Sequence, residues 1–267
     1  MKLIKFPKIS KELAEEIGIH IGDGSMGIYS KCRYHAYTVC GSIEDCDYLL
    51  KVVKPLIERL YGLVPNRRTQ KKGKSLDLVY GSKRLVLFKA RLGLPVGPKN
   101  NICIPEIVRN SNFVLDCLRG IFDTDGTILF KKRHKLVHYY PVIKLCCKSK
   151  PLIEQVERIF ESIGIRANVQ YDVKTMDKRG FSSVTHQLHI NGADRVKKFI
   201  EKVGFSNSKH MTKYLVWKKC GHLEPGTTLE ERFNILNQRF NPRNKAAVAQ
   251  KSLLDCGLRN GRAPPSK

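Results

Sequence analysis

Long apolar runs are missing from this sequence, and acidic residues are scarce beside basic ones. The 267 residues include 49 Lys and Arg but only 24 Asp and Glu, so the formal net charge is +25. Because a membrane-spanning helix needs roughly 18 consecutive apolar residues, the sequence predicts no membrane protein. The first twenty residues also lack the apolar segment of a secretory signal, which predicts a cytoplasmic protein or one of an organelle matrix.

Paired cysteine motifs are absent as well. The nine cysteines are an odd number at irregular spacing, with Cys146 and Cys147 adjacent and no CxxC pair. This pattern argues against a disulfide framework and against a structural zinc site. We therefore expect reduced thiols in a reducing compartment.

The excess of positive charge indicates a polyanionic partner. Hydrophobic residues make up 42% of the chain, which is enough for a folded core. Folding does not require a charge of +25, because like charges repel one another. Basic side chains that neutralise phosphates release counterions, so the charge favours DNA or RNA. An anionic membrane surface is the alternative partner.

Two segments of the chain repeat each other at a fixed spacing. Residues 13–25 read LAEEIGIHIGDGS, and residues 115–127 read LDCLRGIFDTDGT. Gly18 and Gly120 are 102 positions apart (120 − 18), as are Asp23 and Asp125 (125 − 23). Glycines at positions 62 and 164, which follow predicted helices, keep the same spacing. A spacing kept across several elements indicates duplication.

Each copy predicts the same order of elements. A short helix is followed by two strands, an amphipathic helix, two more strands and a closing helix. The predicted strands are 28–32, 35–41, 63–71 and 75–80, then 127–132, 137–146, 166–174 and 183–190. Paired antiparallel strands with segregated helices are typical of α+β proteins. The sequence therefore predicts an α+β fold with a duplicated αββαββα order.

The repeat also sets the expected domain boundaries. Residues 1–92 form the first repeat and residues 113–224 the second, joined by a Pro- and Asn-rich linker at residues 93–112. Residues 225–267 form a basic C-terminal extension with a helical pattern at 229–237. We expect its last part to be disordered, with a DNA-binding arm as the alternative.

Small residues line one face of the first helix in each copy. Ala14, Gly18 and Gly22 fall at i, i+4 and i+8, and Gly120 and Thr124 take matching positions in the second copy. Small side chains at this spacing let two helix backbones approach closely. Glycine inside a helix costs about 0.5–1 kcal/mol relative to alanine, so close pairing must compensate for it. We expect the two helices to pack together, with Ala14, Gly18 and Gly120 at their interface.

That packing would bring two carboxylates side by side. Asp23 and Asp125 end the two helices, each before a glycine of the kind that ends helices. Helix C-termini disfavour anions and the carboxylates repel each other, so the arrangement calls for a bound cation, and oxygen ligands favour Mg²⁺. A divalent ion beside a basic surface predicts phosphodiester hydrolysis. A single Asp-Gly would be better explained as a turn, but the matched repetition favours the paired site.

Nine residues in each copy carry a family resemblance. Residues 16–24 read EIGIHIGDG and residues 118–126 read LRGIFDTDG, and both resemble the signature of LAGLIDADG homing endonucleases, the second more closely. The element order over about residues 8–220 and the segment GLPVGPKNNICIP at residues 93–105 are similar to archaeal members with two motifs. The resemblance implies a pseudo-two-fold monomer whose two antiparallel sheets form a saddle on double-stranded DNA.

The resemblance also implies roles for individual residues. The eighth signature residues, Asp23 and Asp125, would bind the metal ion together with the carbonyl groups of the seventh, Gly22 and Thr124. A lysine after the fourth strand of a repeat is commonly catalytic, and Lys83 is the best match. The implied cofactor is Mg²⁺, for which Mn²⁺ can substitute.

The two signatures differ at their sixth position. Family members often have an acid there, which Asp123 keeps and Ile21 replaces. We expect Asp123 to be structural.

Basic and aromatic residues on the predicted strands and their connections are candidate DNA contacts. Each alone is more often a solvated surface group, and most protein–DNA contacts reach phosphate rather than bases. The candidates are Tyr29, Lys31, Arg33, Arg67, Arg68, Lys71, Lys72, Lys131, Arg133, Tyr139, Lys144, Lys148 and Lys174.

The sequence therefore predicts a site-specific DNA endonuclease of the intron-encoded type. One alternative is an RNA maturase that binds its host intron RNA, and another is a DNA-binding regulator that does not cut. Degenerate members usually lose one or both acids, and the presence of both favours cutting. A third alternative is a nuclease embedded in an intein; the Met1 start and the Pro-Ser-Lys end favour a free-standing product.

Overall fold

The computed structural model describes residues 6–29, 34–70, 75–176, 180 and 182–237. Within these ranges, no helix combines the length and the apolar character that crossing a bilayer requires.

The first repeat follows the predicted order of elements. Helix α1 begins after Ser10, whose hydroxyl group accepts a hydrogen bond from the Leu13 N–H at 3.3 Å. A 3₁₀ turn at Ile43–Asp45 and a π-helical stretch at Leu49–Val53 interrupt the middle helical segment. The elements are α1 Lys11–Gly22, β1 Gly24–Tyr29, β2 Tyr34–Ser42, α2 Cys46–Tyr48, α3 Lys54–Tyr61, β3 Asn66–Gln70, β4 Ser75–Gly81 and α4 Lys83–Arg91.

The second repeat has the same order and ends in two additional helices. A one-turn helix, α5 (Glu106–Arg109), lies between the repeats. The Ser149 hydroxyl caps the middle helix α7 by accepting from the Leu152 N–H at 3.3 Å. The elements are α6 Val114–Thr124, β5 Gly126–Lys131, β6 Tyr140–Cys147, α7 Lys150–Ser162, β7 Asn168–Met176, β8 Ser182–Asn191, α8 Ala193–Lys202, α9 Ser208–Cys220 and α10 Leu229–Asn237.

Each repeat contributes one four-stranded antiparallel sheet. The strand orders are β1-β2-β4-β3 and β5-β6-β8-β7. In the second sheet, Ile128, Ile143 and Ile190 stand opposite one another and are fully buried, so one face of this sheet packs into the core. The opposite face, called the open face, carries exposed side chains such as Lys131, Asn168 and Gln170, although Val142 on it is buried. The predicted α+β fold with two antiparallel sheets is confirmed.

The spacing between the repeats is not constant along the chain. It is 102 at the start of the first strands (Gly126 − Gly24), and the strand register raises it to 106 at the next strands (Leu145 − Val39). It returns to 102 at the positive-φ glycines 62 and 164. The first repeat therefore has four extra residues in its middle helical segment, where the 3₁₀ turn and the π-helical stretch absorb them.

Helices α1 and α6 touch through their backbones at the centre of the molecule. A Cβ atom on Gly18 would lie 2.1 Å from the carbonyl oxygen of Cys117, and one on Gly120 would lie 2.3 Å from that of Glu15. Ala14 is fully buried beside them. Only hydrogen fits at the two glycine positions, so their missing side chains set the distance between the helix axes.

A buried ion pair holds α1 against the rest of the first repeat. The Lys89 ammonium on α4 donates to both carboxylate oxygens of Glu16 at 2.6 and 2.7 Å, and the Tyr61 hydroxyl donates to Glu16 at 2.9 Å. Both charged side chains are fully buried. Burial lowers the pKa of Lys89, and the adjacent Glu16 carboxylate opposes that effect.

The glycines after Asp23 and Asp125 have a different role from the one expected. Gly24 and Gly126 are not among the described residues with positive φ, so they do not end their helices in the left-handed conformation. They begin β1 and β5 instead. A Cβ atom on Gly24 would lie 2.5 Å from Cα of His20, so the glycine is needed because the strand turns back tightly over the helix.

The segment between the repeats is packed rather than loose. The Ile102 carbonyl accepts a hydrogen bond from the Ser149 hydroxyl at 2.6 Å, and the Ile104 N–H donates to the Gln155 side chain at 2.8 Å. In the C-terminal extension, Arg232 on α10 is buried and donates to the Thr212 hydroxyl of α9 at 3.0 Å. Residues 238–267 lie outside the described residues.

Replacing Gly18 with alanine is expected to lower the free energy of unfolding by about 3 kcal/mol or more, because the new methyl group meets backbone that cannot yield without separating the helices. Gly27→Ala is the matched control, since the atoms nearest to its Cβ would belong to the side chain of the exposed Tyr29 rather than to backbone. Urea unfolding of both variants measures the difference. Equal losses would contradict the close helix contact as the cause.

Candidate active site

The carboxylates of Asp23 and Asp125 lie where the C-terminal ends of α1 and α6 meet. Asp23 caps α1, with its N–H donating to the Ile19 carbonyl, and Asp125 caps α6 through the Ile121 carbonyl. The two helix ends are in contact, since a Cβ atom on Gly22 would fall within 1.9 Å of the Thr124 hydroxyl oxygen. Each repeat therefore contributes one carboxylate to a shared site.

Both carboxyl groups have raised pKa values. The pKa of Asp23 is raised to about 7, first by burial and then by the carboxylates of Asp125 and Asp45, against the opposing charges of Lys99 and Lys209. Burial also raises the pKa of Asp125, against Lys99. Without a cation, charge on both groups is unfavourable, because the helix ends are themselves electronegative.

Lys99, in the segment between the repeats, is a cation whose charge acts on both acids. Its ammonium donates to the carbonyl groups of the last turn of α1, at 3.2 Å to His20 and 2.9 Å to Ile21, and also to Gly22. The charges of Asp125 and Asp23 both act on its pKa, which burial lowers. Lys99 also lines a cleft of about 230 Å³ beside Asp125.

Lys209 is the counterpart of Lys99 in the second repeat, but it is held differently. Its ammonium lies 3.3 Å from both carboxylate oxygens of Asp45, a residue of the first repeat. The Asn207 side-chain amide also donates to Asp45, at 3.1 Å. Asp45 belongs to the helical segment that is four residues longer in the first repeat. The two halves of the site are therefore not equivalent.

The lysine predicted from the sequence is not the one that the structure brings to the acids. Lys83 begins α4 as an exposed side chain, and the cations that act on Asp23 are Lys99 and Lys209. A signal for these two was present in the sequence. Each follows the positive-φ glycine after the closing helix of its repeat, Gly93 or Gly204, at nearly the same spacing (209 − 99 = 110; 204 − 93 = 111).

The donor set at this site fits a hard divalent cation. Two carboxylates and the carbonyl groups of Gly22 and Thr124 supply oxygen only, which Mg²⁺ and Ca²⁺ prefer. In the described part of the chain, no group of three or more His, Cys, Asp or Glu side chains converges on one point. A cation here would complete its coordination with water and a bound phosphate, as Mg²⁺ commonly does in proteins.

Asp123 holds the segment that precedes Lys209. Its carboxylate accepts hydrogen bonds from the backbone N–H groups of Ser206 at 3.1 Å and Asn207 at 2.9 Å. Burial raises the pKa of Asp123 to about 8, although these two bonds favour the charged form. The contacts agree with the structural role expected for this signature position. The first repeat has Ile21 there, and its segment is held instead by Lys99.

The open face of the second sheet is polar. Residues that stand opposite one another in an antiparallel sheet share a face, so the register defines the row that carries Lys144 and His189. The DNA contacts predicted from the sequence are basic and aromatic residues only, so they do not include the Thr, Asn, Gln and His side chains of this face. The open-face side chains include Thr127, Lys131, Tyr140, Lys144, His189, Asn168, Gln170 and Gln187.

The register separates the predicted DNA contacts into groups. Tyr29 and Arg68 are on the open face of the first sheet, opposite to the face that buries Met26 and Leu78, and Lys131 and Lys144 are on the open face of the second. Arg67 stands opposite the buried Leu78, and Lys174 follows a β-bulge and stands opposite Val184, so both are on the other face of their sheets. The alternation of β-strands thus argues against the expected role of these two.

The remaining candidates fall on connections or outside the described residues. The Arg133 guanidinium lies 4.0 Å from the centre of the Tyr140 ring, and Tyr139 precedes β6. Lys148 lines the cleft beside Asp125. Lys31, Arg33, Lys71 and Lys72 lie outside the described residues.

Comparison with known proteins identifies the second repeat. Residues 112–204 match the family model described as a LAGLIDADG-like domain. The LAGLIDADG homing endonuclease I-GzeII, solved in complex with its DNA target, is 12% identical, with 88% of this chain and 100% of that chain covered and a TM-score of 0.50. At this identity the likeness concerns the fold alone. The family model covers the second of the two nine-residue segments, residues 118–126, and the likeness in fold extends over 88% of the chain.

Two curated relatives contain a similar segment within much longer chains. A DNA polymerase of Thermococcus sp. (strain GE8) is 28% identical over 214 residues, which is 79% of this chain and 12% of the polymerase. The replication factor C small subunit of Methanocaldococcus jannaschii is 26% identical over 206 residues, which is 77% of this chain and 10% of that protein. The chain thus spans about a tenth of the length of these relatives.

His210, next to Lys209, makes this region sensitive to acid. Its ring is buried against Phe205, with ring centres 5.0 Å apart, and burial lowers its pKa to about 3, aided by Lys213 and Lys209. Between pH 6.5 and 3 the unfolded chain therefore binds a proton that the folded chain does not, so stability falls as the pH drops.

We expect the wild-type protein to lose about 3 kcal/mol from this source between pH 6.5 and pH 4. His210→Gln, which cannot take up that proton, should lose correspondingly less over the same interval. Urea unfolding at several pH values measures both slopes, and the exposed His134→Gln is the control. A His210→Gln slope equal to that of the wild type would contradict the assignment.

Proposed function

We propose that this protein is a site-specific DNA endonuclease that makes a double-strand break by metal-dependent phosphodiester hydrolysis. The observation that carries the proposal is the meeting of Asp23 and Asp125 at the contact of two helix ends. Two half-buried carboxylates with raised pKa values are a poor arrangement for stability alone. They are well suited to holding a divalent ion against a phosphate.

The open sheet faces support DNA as the substrate. Ser25 and Thr127, the first open-face side chains of β1 and β5, each lie two residues beyond one of the acids. A duplex that lay across both faces would therefore pass over the carboxylates. Basic side chains such as Lys144 would contact phosphates, and exposed amides such as Gln170 have the donor and acceptor pair that reads adenine edges.

In this mechanism the residues of the chain hold the metal ion and balance charge. Asp23 and Asp125, with the Gly22 and Thr124 carbonyls, would hold Mg²⁺, for which Mn²⁺ can substitute. The ion supplies Lewis-acid chemistry: it polarises the phosphate and favours ionised water. Lys99 and Lys209 are the cations placed to offset the negative charge of the phosphorane-like transition state.

One chain contains both halves of the proposed site, so a monomer is sufficient. In this scheme residues 1–92 and 113–224 are the two repeats, and residues 93–112 join them and contribute Lys99. The binding of a DNA target by I-GzeII, which shares the fold, supports DNA as the partner here. The two curated relatives differ in activity yet match the same module, which supports a function independent of either host protein.

The proposed reaction is tested with duplexes of randomised sequence and Mg²⁺, followed by sequencing of the cut ends. We expect the wild-type protein to select and cut a defined site in both strands. Asp23→Asn and Asp125→Asn should each lower the rate on that site by more than about 100-fold, because each removes a metal ligand.

Asp47→Asn is the control for these variants, because Asp47 is exposed and forms an ion pair with Lys51, one helical turn away, at 2.8 Å. Cutting that persists in both ligand variants would refute the mechanism. Binding of structured intron RNA without any cut DNA would favour the maturase alternative instead.

Binding to duplex DNA separates the two faces of the second sheet. Lys144→Ala, on the open face, is expected to weaken binding and to reduce the slope of log affinity against log salt by about 1, the effect of one lost phosphate contact. Lys174→Ala removes the same charge from the other face and should leave the slope unchanged. Fluorescence anisotropy over a series of salt concentrations measures both, and equal effects would contradict the orientation of the sheet on DNA.

A further inference from the structure

The Lys99 ammonium donates all three of its N–H groups to backbone carbonyl groups at the end of α1. An ammonium group has three N–H donors and no acceptor. Lys99 donates to the carbonyl groups of His20 at 3.2 Å and Ile21 at 2.9 Å, and to that of Gly22. In this state no donor remains for a water molecule or a phosphate.

The segment that carries Lys99 is anchored at this place. The Gly97 N–H donates to the Met26 carbonyl of β1 at 3.0 Å, and Ile102 is buried and bonded to Ser149. The side chain of Lys99 is half-buried and lies beside Asp23 and Asp125. It is a monovalent counter-ion for the carboxylates, held at the helix end by backbone oxygens.

Lys99 and a divalent ion would compete for the carbonyl oxygen of Gly22. Its carbonyl oxygen bonds to Lys99, and it is also one of the oxygens that would hold the ion. A divalent ion at the carboxylates would also repel an ammonium in the same cluster, because like charges a few ångströms apart in a poorly hydrated site strongly disfavour each other.

We propose that Lys99 and the divalent ion exchange at the end of α1: the ammonium occupies the carbonyl cluster in the metal-free protein, and ion binding displaces it. This inference rests on the proposed function, because it assumes that the site takes a divalent ion. The exchange would give an order of events. Lys99 becomes free to donate to the DNA phosphate only after the ion has entered, so a metal-free complex would not be equipped to react.

Lys209 offers a charge-matched comparison within the same molecule. It also acts on Asp23, but its ammonium is bound by the side chain of Asp45 rather than by the carbonyl groups of a helix end. Removing either lysine takes one positive charge from the neighbourhood of Asp23. Only the removal of Lys99 frees a carbonyl oxygen that the ion needs.

The first test measures Mn²⁺ binding to the full chain without DNA, by electron paramagnetic resonance of the free ion. We expect Lys99→Met to lower the dissociation constant about tenfold, the equivalent of one charge-assisted hydrogen bond that no longer competes. Lys209→Met should change it by less than about threefold, the share of a screened charge alone. Equal effects of the two variants, or no tighter binding by Lys99→Met, would overturn the exchange.

The second test uses the wild-type protein, so it does not depend on how a variant folds. Ca²⁺ should increase the rate at which an amine-acylating reagent modifies Lys99, read by mass spectrometry of its peptide, because the displaced ammonium loses its three carbonyl partners. The Lys209 peptide is the internal reference and should change less. Unchanged or slower modification of Lys99 at saturating Ca²⁺ would refute the displacement.

Failure of the exchange can be told apart from failure of the proposed function. If the wild-type protein cuts DNA but Lys99→Met binds Mn²⁺ no more tightly, the exchange is wrong and the endonuclease proposal stands. If no variant binds Mn²⁺ and the wild-type protein cuts no duplex, both proposals fall.

Discussion

The contact between the backbones of α1 and α6 is the constraint on which the site depends. A Cβ atom at Gly18 or Gly120 would overlap the carbonyl oxygen of the facing helix, so these positions accept only hydrogen. Once the helices are that close, their C-terminal ends must also meet. Packing therefore brings Asp23 and Asp125 together although their carboxylates repel each other. The free energy of burying the apolar faces of two repeats offsets the repulsion of one pair of acids. Electrostatic strain is thus imposed on the site by packing elsewhere.

The two repeats place different residues around the paired carboxylates. In the second repeat, Asp123 binds the backbone N–H groups of Ser206 and Asn207, and the following Lys209 turns toward Asp45. The first repeat has no acid at the matching position, and Lys99 reaches the helix carbonyls directly. Asp123 fixes its segment by accepting hydrogen bonds from backbone N–H groups, and Lys99 fixes its segment by donating to backbone carbonyl groups. The two residues thus have the same structural role with opposite charges. The duplicated fold therefore surrounds the shared acids with two unlike environments.

Much of the fold could be predicted from the sequence because hydrophobic periodicity and the duplicated segments are local signals. The predicted helix at 229–237 matches α10, and most predicted strands overlap the observed ones. The sequence predicts that the first strand starts at residue 28, whereas β1 starts at Gly24, because Asp-Gly and the glycine that follows are typical of a turn. Their actual cause, contact of the strand with the helix it follows, is a tertiary effect. The role of Lys99 does not follow from the sequence for a similar reason: its segment has the composition of a linker, and nothing local to it shows which helix end the lysine reaches.

The changes in spacing between the repeats show which parts of the molecule are free to vary. The offset is 102 on both sides of the helix contact, from α1 to α6 and from Gly24 to Gly126, and it shifts to 106 only across the first hairpin. Insertions in hairpins lengthen the open faces without moving the carboxylates, whereas a single residue inserted in α1 or α6 would rotate its aspartate by about 100° about the helix axis. A chain built in this way can change the open faces of its sheets while the geometry of the two acids stays constant. Under the proposed function, selection of a DNA target and chemistry at the phosphate would therefore be separable.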